Sequence, residues 1–551
     1  HYMRQEGKGL LVGAYEADGR HWAVNGTPLD FGLELLPDGL ERIEENMAAS
    51  MARVPALASA GIKRVVNGPM IWSPDSNVLF GPHPDLTNYF CCNGIIPGFS
   101  QSGGMGLMSA QWMVEGESQY DMFAWDVARF GDWADKAFTK ARVGDQYAKR
   151  FAIHFPNEER DAGRPVRTRP AHALQTTLGG VFGLNYGWEH VQWFADHPGA
   201  KDTNGFTRQN WFEPVGRECR MLRNTAGIID ISNFAKYRVC GGQAEAWLNA
   251  VFANKMPKAV GRSCLTPLIG VRGGIAGDFT VTRLAEDEFM IIGSGMAERY
   301  HQRFWKMVPM PAGVSFESLT EALCGFNVAG PKSRALLQRL TNTSLATEDF
   351  PFMRSKRIEL AGVDCVALRV SFTGDLGWEL HCKTEDQLRL YEALLDCAKD
   401  FEAGPVGARA LMSLRVEKGY GSWAREYSPE YWPQEVGLAG LIKLDKVFLH
   451  KEAYLAIKDK DPRERLCIVE ILAPDHADAT GGEPIFDKAG AGVGRVTSGT
   501  YGYGVNKSLA LCYLKNVTAG DELDVMILGK PHHAIVLPEA PFDPKGEKLR
   551  A

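Results

Sequence analysis

The 551-residue sequence has no apolar run approaching the roughly 18 residues that a membrane-spanning helix needs, which predicts a soluble chain. It has no Lys/Arg block, and its 61 basic residues against 67 acidic ones leave a net charge of −6, so nucleic acid and anionic membrane surfaces are excluded as natural partners. Its 11 cysteines include no C-x-x-C, which excludes zinc ribbons and small disulfide scaffolds and predicts free thiols in a reducing compartment. A P-loop, an H-E-x-x-H helix, a fixed-period repeat and low-complexity tracts are all missing. The glycines of Gly490-Ala-Gly-Val-Gly494-Arg495 mimic a dinucleotide loop, but they lack its spacing and precede a strand, so they read as a turn. His1-Tyr2-Met3-Arg4 fits neither an initiator methionine nor a signal peptide, so the numbering is expected to begin inside a processed or longer protein.

What is present is ordinary globular composition, 45% hydrophobic and 23% charged, enough for several domains. Residues 8–16 read as a buried strand, 38–60 as one helix (Leu40, Ile43, Met47, Met51 and Val54 at helical spacing) and 62–66 as a second strand. Ser102-Gly103-Gly104-Met105-Gly106 reads as a glycine-rich turn opening a helix over 107–115, whose free N–H groups suit a phosphate or a flavin edge. Residues 136–205 are rich in Arg, Gly, Pro and aromatics and read as a connecting region. From about 206, strand and helix signals alternate. They predict a helix over 243–252, a hairpin pairing 279–283 with 289–292, and helices over 333–340 and 387–398. After Lys446 short strands and Gly/Asp turns predict a small antiparallel β-domain.

The order of motifs resembles the dimethylglycine and sarcosine dehydrogenase family. Tyr2-Met-Arg4-Gln-Glu6 with Gly13-Ala-Tyr15-Glu16, Ser73-Pro-Asp75, Ser102–Gly106, Ile153-His154-Phe-Pro156, Arg164-Pro165 and Tyr186-Gly-Trp188-Glu189 are similar to the flavoprotein half. Gly273-Gly-Ile-Ala-Gly-Asp278, Val328-Ala-Gly330-Pro331, Ser371-Phe-Thr-Gly-Asp-Leu-Gly-Trp-Glu379, Arg415-Val-Glu-Lys418-Gly-Tyr420 and Val496-Thr-Ser-Gly-Thr-Tyr501 are similar to the aminomethyltransferase (glycine-cleavage T-protein) half. The resemblance implies an α+β multidomain chain. Residues 1–135 would be the C-terminal part of an FAD-dependent amine-oxidase-type domain, 136–205 the connection, 206–455 a T-protein-like folate domain and 456–551 a C-terminal β-barrel. Such enzymes begin with a Rossmann-type FAD loop, which is expected in a preceding segment or a companion chain.

The implied activity is FAD-dependent N-demethylation of a small methylated amine, with tetrahydrofolate receiving the carbon and an electron-transfer flavoprotein or oxygen receiving the electrons. The implied location is cytoplasmic, or the mitochondrial matrix in a eukaryote. Tyr2 would be a catalytic residue, Arg4 would meet the substrate carboxylate, and Ser102, Gly103, Gly104, Met105 and Gly106 would line the flavin. Asp278 would be the acid of the folate site, its preceding glycines admitting a flat ring. Leu265, Phe372, Asp375, Glu379, Tyr420, Trp423 and Glu435 would line that pocket. Family members often carry Tyr in place of Leu265, Phe372 and His381, and Glu in place of Asp375, four departures that weaken the pterin grip. Two other readings stay open: a folate-dependent methyl or aminomethyl transferase that uses residues 1–205 as scaffold, and a non-catalytic subunit of a flavoprotein complex.

Overall fold

In the computed structural model, which describes residues 1–551, the apolar residues of the later two thirds gather around two sheets and a barrel. The first sheet is antiparallel and five-stranded, in the order Ser315–Ser318, Ala235–Cys240, Glu288–Gly293, Ile275–Ala285, Ser263–Ile269. Its strands alternate with period two. Tyr237, Val239, Phe279, Val281, Phe289 and Ile291 point into one core with helices Ala244–Val251 and Glu298–Trp305. The hairpin expected over 279–292 is its centre, with Val281 opposite Ile291.

The second sheet has six strands, in the order Ser355–Leu360, Val363–Leu368, Gly377–Lys383, Leu323–Ala329, Gly227–Asp230, Gly404–Val406. Only the last pair is parallel. Helices Ser333–Gln338 and Gln387–Ala398 cover one face, where Phe326 stacks on Tyr391 at 4.9 Å. Helices Phe212–Asn224 and Ala408–Glu417 pack beside the sheet in a second core, which also takes Val181 and Trp193 from the hairpin of Gly180–Asn185 with Trp188–Phe194. That stretch of the connection is therefore packed into the same body as the strands after 206. The C-terminal strands close into a six-stranded barrel, Arg465–Ile471, Lys507–Leu514, Gly492–Gly502, Pro484–Asp487, Glu522–Ile527, Lys530–Val536, around an aliphatic core.

The first third is built differently from the expectation. Residues 8–16 form no buried strand: Gly9–Gly13 pairs with Tyr2–Glu6 in an isolated, mostly exposed hairpin. The helix expected over 38–60 is only Glu44–Arg53, flanked by 3-10 turns, because Pro55 cannot continue it. Residues 62–66 pair with nothing. The helix expected to start at 107 spans Gly98–Glu115, so Ser102–Gly106 lies inside it and not in a turn; Pro97, which has no N–H to give, sits at its N-cap. The N–H groups left without intrahelical carbonyls are consequently those of Gly98, Phe99 and Ser100, since Gln101 already donates to the Pro97 carbonyl at 3.3 Å. All 11 cysteines are free thiols, as expected, and no helix is long and apolar enough to cross a membrane.

Candidate functional site

Asp278 sits in mid-strand, and strand alternation decides what it faces. Its neighbours Phe279 and Val281 go to the core; Asp278 and Thr280 go to the opposite face, across from Pro267 and Leu265 on the neighbouring strand. Asp278 is half-buried, has no cationic partner, and accepts no hydrogen bond from another residue. Burial pushes its carboxyl pKa up to about 6. Tyr427 lies close enough for the Asp278 charge to add to the upward push that burial gives its phenol. The glycines before Asp278, expected to admit a flat ring, admit protein instead. A Cβ on Gly274 would lie 2.0 Å from the Pro429 carbonyl oxygen, and one on Gly277 2.9 Å from His301 Nε2.

One wall of the site is the segment 420–427. It has no regular structure of its own and is held by a buried ion pair, Arg415 Nη1 donating to Glu426 Oε2 at 2.7 Å and to the Tyr420 carbonyl at 2.9 Å. Glu426 also accepts from the Ser422 N–H at 3.0 Å and, through Oε1, from the barrel's Thr497 hydroxyl at 2.7 Å. The Tyr420 ring lies nearly parallel to Phe372, with centroids 6.0 Å apart and planes at 20°. Glu379 is half-buried beside His381, whose Nε2 is 3.6 Å from its carboxylate. Both ring nitrogens of His381 lack hydrogen-bond partners, and burial lowers its pKa, so the ring is neutral.

The structure does not bring all the expected residues to this face. Asp375 is buried in an ion-pair triad: Arg223 contacts it through Nη1 and donates through Nη2 to Glu417 at 2.6 Å. Its carboxylate is thereby committed to protein, one methylene too short to reach past the guanidinium. Glu435 is fully occupied by Arg463 (2.8 and 2.7 Å) and the Trp432 N–H (2.8 Å), so it fastens the start of the barrel. Trp423 is core, with ring centroids 4.8 Å from His301, 5.6 Å from Tyr300 and 5.7 Å from Phe123. Leu265 is half-exposed at the rim. Tyr2 and Arg4 are on the exposed N-terminal hairpin, Tyr2 against Tyr15 at 6.2 Å and Arg4 bridged to Glu6 at 3.1 Å. Ser102, Gly103, Gly104 and Gly106 form an open, small-residue face of their helix, while Met105 points into a minor core with Val78, Phe80 and Met122.

Sequence reasoning missed a cleft of about 180 Å³ among the connection, the helix Ala408–Glu417 and the barrel. Arg208, Arg409, Arg415, Arg425, Thr500 and Tyr501 are among its lining. Arg208 is held bidentately by Asp478 (2.6 and 2.8 Å) and Arg409 by Asp202 (2.9 and 2.7 Å). Arg425 is exposed and has no ion-pair partner, and the buried Nε atoms of Arg409 and Arg415 have no acceptor. The exposed, unpaired guanidinium of Arg425 suits a carboxylate. Three stretches distant in sequence build most of it, around 202–211, 409–425 and 478–503, so no single motif marks it as a site.

Comparison with known proteins fits this arrangement. The profile of the GCVT N-terminal domain matches residues 171–446, half of the chain. The chain belongs to the GCVT family. The profile of the glycine cleavage T-protein C-terminal barrel domain matches 464–543, and that of the FAD dependent oxidoreductase central domain matches 115–168, running across the boundary expected at 135. The GCVT unit shares its fold with the glycine cleavage system aminomethyltransferase T of Bartonella henselae: TM-score 0.59 at 23% identity, over 68% of this chain and 98% of that one. Among relatives, the mitochondrial dimethylglycine dehydrogenase of Mus musculus is 35% identical over 98% of this chain and 63% of its own length. The formaldehyde-forming 4-methylaminobutanoate oxidase of Paenarthrobacter nicotinovorans is 32% identical over 100% of this chain and 67% of its own length. The chain thus spans somewhat under two thirds of the length of the dehydrogenase. In GCVT terms, Asp278 lies on its first sheet, Phe372 in the loop between two strands of its second, and Tyr420 and Tyr427 on the segment 420–427, while the arginine-lined cleft lies where the GCVT unit meets its barrel.

Proposed function

We propose that this chain acts in the oxidative N-demethylation of a small methylated amino acid, of the dimethylglycine or sarcosine type, and that its GCVT unit hands the released carbon to tetrahydrofolate. The observation that carries the proposal is Asp278, a half-buried carboxylate without a partner, within reach of the Tyr427 phenol. Its pKa of about 6 keeps it charged at neutral pH yet close enough to act as a proton acceptor. Asp278 takes the proton that a folate amine loses on capturing the one-carbon unit, and its charge holds the cationic amine in place before that. Phe372 and Tyr420 flank the pterin, and the half-buried Glu379 accepts from its amino groups. The glutamate carboxylates of the folate reach the cleft, where the exposed and unpaired Arg425 receives them.

FAD, when bound, supplies the hydride acceptor for the amine. The open face of Ser102, Gly103 and Gly106, where a Cβ on either glycine would meet nothing within 4 Å, suits the close approach of a flat ring. Arg4, on its exposed strand, would turn from Glu6 to the substrate carboxylate, and Tyr2 would border the same site. These roles are read from the resemblance and from the surfaces left open.

The test is calorimetric titration with tetrahydrofolate, coupled to an assay of methylene-tetrahydrofolate formed from the amine in the flavin-loaded protein. The wild type is expected to bind folate, and Asp278→Asn to lose about 100-fold or more in transfer. Unchanged transfer in Asp278→Asn would remove Asp278 from the mechanism, and a wild type that binds no folate would remove the reading itself.

A further inference from the structure

The last ten residues do more than end the barrel: they lie against both strips of chain that carry the stacked Phe372–Tyr420 pair. Phe542 donates its N–H to the Glu417 carbonyl at 3.1 Å, and its ring lies 3.4 Å beneath the Arg223 guanidinium. Arg223 in turn donates to the Thr373 carbonyl at 2.9 Å, one residue from Phe372. Asp543 receives the Lys418 ammonium at 3.2 Å on its carboxylate, and Lys418 also donates to its backbone carbonyl. Both side chains of this pair are nearly excluded from water. Lys418 stands two residues before Tyr420, and its ammonium is 5.9 Å from the centre of that ring. Its aliphatic stem packs on the loop of Phe372 so closely that a Cβ on Gly374, at φ +85°, would come within 2.7 Å of it. Further along, Arg369 donates to the Arg550 carbonyl at 3.0 Å, just before the same loop.

We propose that residues 542–550 are a strap whose Asp543–Lys418 pair sets the spacing of Phe372 and Tyr420, making both charged residues positioning residues for the flat ring bound there. The proposal rests on the folate reading above. Three features separate such a strap from ordinary packing. Its contacts from Phe542 to Asp543 fall on the two aromatic-bearing strips, while its end at Ala551 is fastened separately by Arg334 and Thr347. The pair is buried, so losing one partner leaves an uncompensated charge beside Tyr420. Finally, Asp543 accepts from the Glu547 N–H at 2.8 Å, so one carboxylate couples the strap's own turn to the pocket wall.

The experiment is tetrahydrofolate titration at 20 °C of the wild type, Asp543→Asn, Lys418→Met and the double variant, with melting curves alongside. Asp543→Asn keeps an oxygen acceptor for the Glu547 N–H, and Lys418→Met keeps the stem against Gly374, so each removes chiefly the charge. Each single variant is expected to weaken folate binding about tenfold, and the double variant by no more than either alone, because the pair acts as one unit. Charge reversal of the pair, Asp543→Lys with Lys418→Asp, is expected to recover part of the loss. Single variants that are still folded at 20 °C and bind folate like the wild type would overturn the proposal, as would single losses that add up in the double variant. If the wild type itself binds no folate, the folate reading fails; in that case near-ultraviolet circular dichroism of Tyr420 decides the strap, expected to change in Asp543→Asn and overturning the proposal if identical to the wild type.

Discussion

At the scale of a residue, Asp278 combines cost with use. Its carboxyl is raised by burial from the unfolded value of 3.8 to about 6. Between those values the folded chain binds more protons than the unfolded one, so stability falls as pH rises from about 4 to about 6 and stays lower above that. The cost is on the order of 1–2 kcal/mol, smaller than the full shift implies because one side of the group meets solvent. Asp278→Asn removes it. Calorimetry is expected to show the variant melting a few degrees higher than the wild type at pH 8, with no gain at pH 4, while transfer to folate collapses. The transfer rate of the wild type is expected to fall away below about pH 6 on the acid side as the carboxylate is protonated. A variant that melts lower at pH 8 would mean that Asp278 has a structural partner after all. Such pairing of stability lost with chemistry gained is common for groups whose environment is arranged around a reaction.

At the scale of elements, the buried Arg223 joins three of them: its own helix Phe212–Asn224, the loop carrying Asp375, and the end of helix Ala408–Glu417. Arg223→Met would leave Asp375 and Glu417 facing each other without a cation, at a cost of about 3–5 kcal/mol. A lower denaturation midpoint at unchanged slope is the expected result, and Asp375→Asn should cost less because Glu417 still holds the arginine. The same triad explains what could be read from the sequence and what could not. The period of Leu390 and Leu394 located the helix Gln387–Ala398 to the residue, and alternating apolar residues located the hairpin around Val281 and Ile291, since both patterns record one-sided burial. The pattern failed at Gly98–Gly106, where glycines that usually break a helix lie inside one, and at 8–16 and 62–66, where apolar residues have no partner strand. Asp278 was legible only through its resemblance to a family motif. Arg223, Tyr427 and, in the cleft, Arg208 and Arg409 were not legible at all: their partners lie more than a hundred residues away, and charge placed by tertiary folding leaves no local period. Asp375 and Glu435 looked like pocket residues for the same reason, because sequence shows that a carboxylate is present but not the cation that has already claimed it.

At the scale of the whole molecule, cohesion is unevenly shared. The GCVT unit and barrel hold large continuous cores, whereas residues 1–135 contribute a four-residue core of Val78, Phe80, Met105 and Met122. Leu29, Leu33 and Phe99 are fully exposed, and residues 14–38 and 60–72 form no strand or helix of their own. Local opening is cheapest where few apolar contacts must be broken, so this third should be cut first by a protease. Trypsin has accessible targets there at Arg20, Lys63 and Arg64. By contrast Arg169, at the entry to the GCVT unit, is buried, with its guanidinium donating to the Thr320 carbonyl at 2.6 Å and the Glu321 carbonyl at 3.1 Å. Brief digestion followed by mass spectrometry is therefore expected to show early cleavage after Arg20, Lys63 or Arg64 and a resistant fragment containing residues 171–551. On the proposed reading, Arg425 receives the folate carboxylates, so folate should slow any later cut near Arg425 and should leave the cuts at Arg20 and Lys63 unchanged. First cleavage within 206–551 would show that the three cores are not the stable part of this chain, and equal protection of both regions by folate would show that the cleft is not where its carboxylates bind.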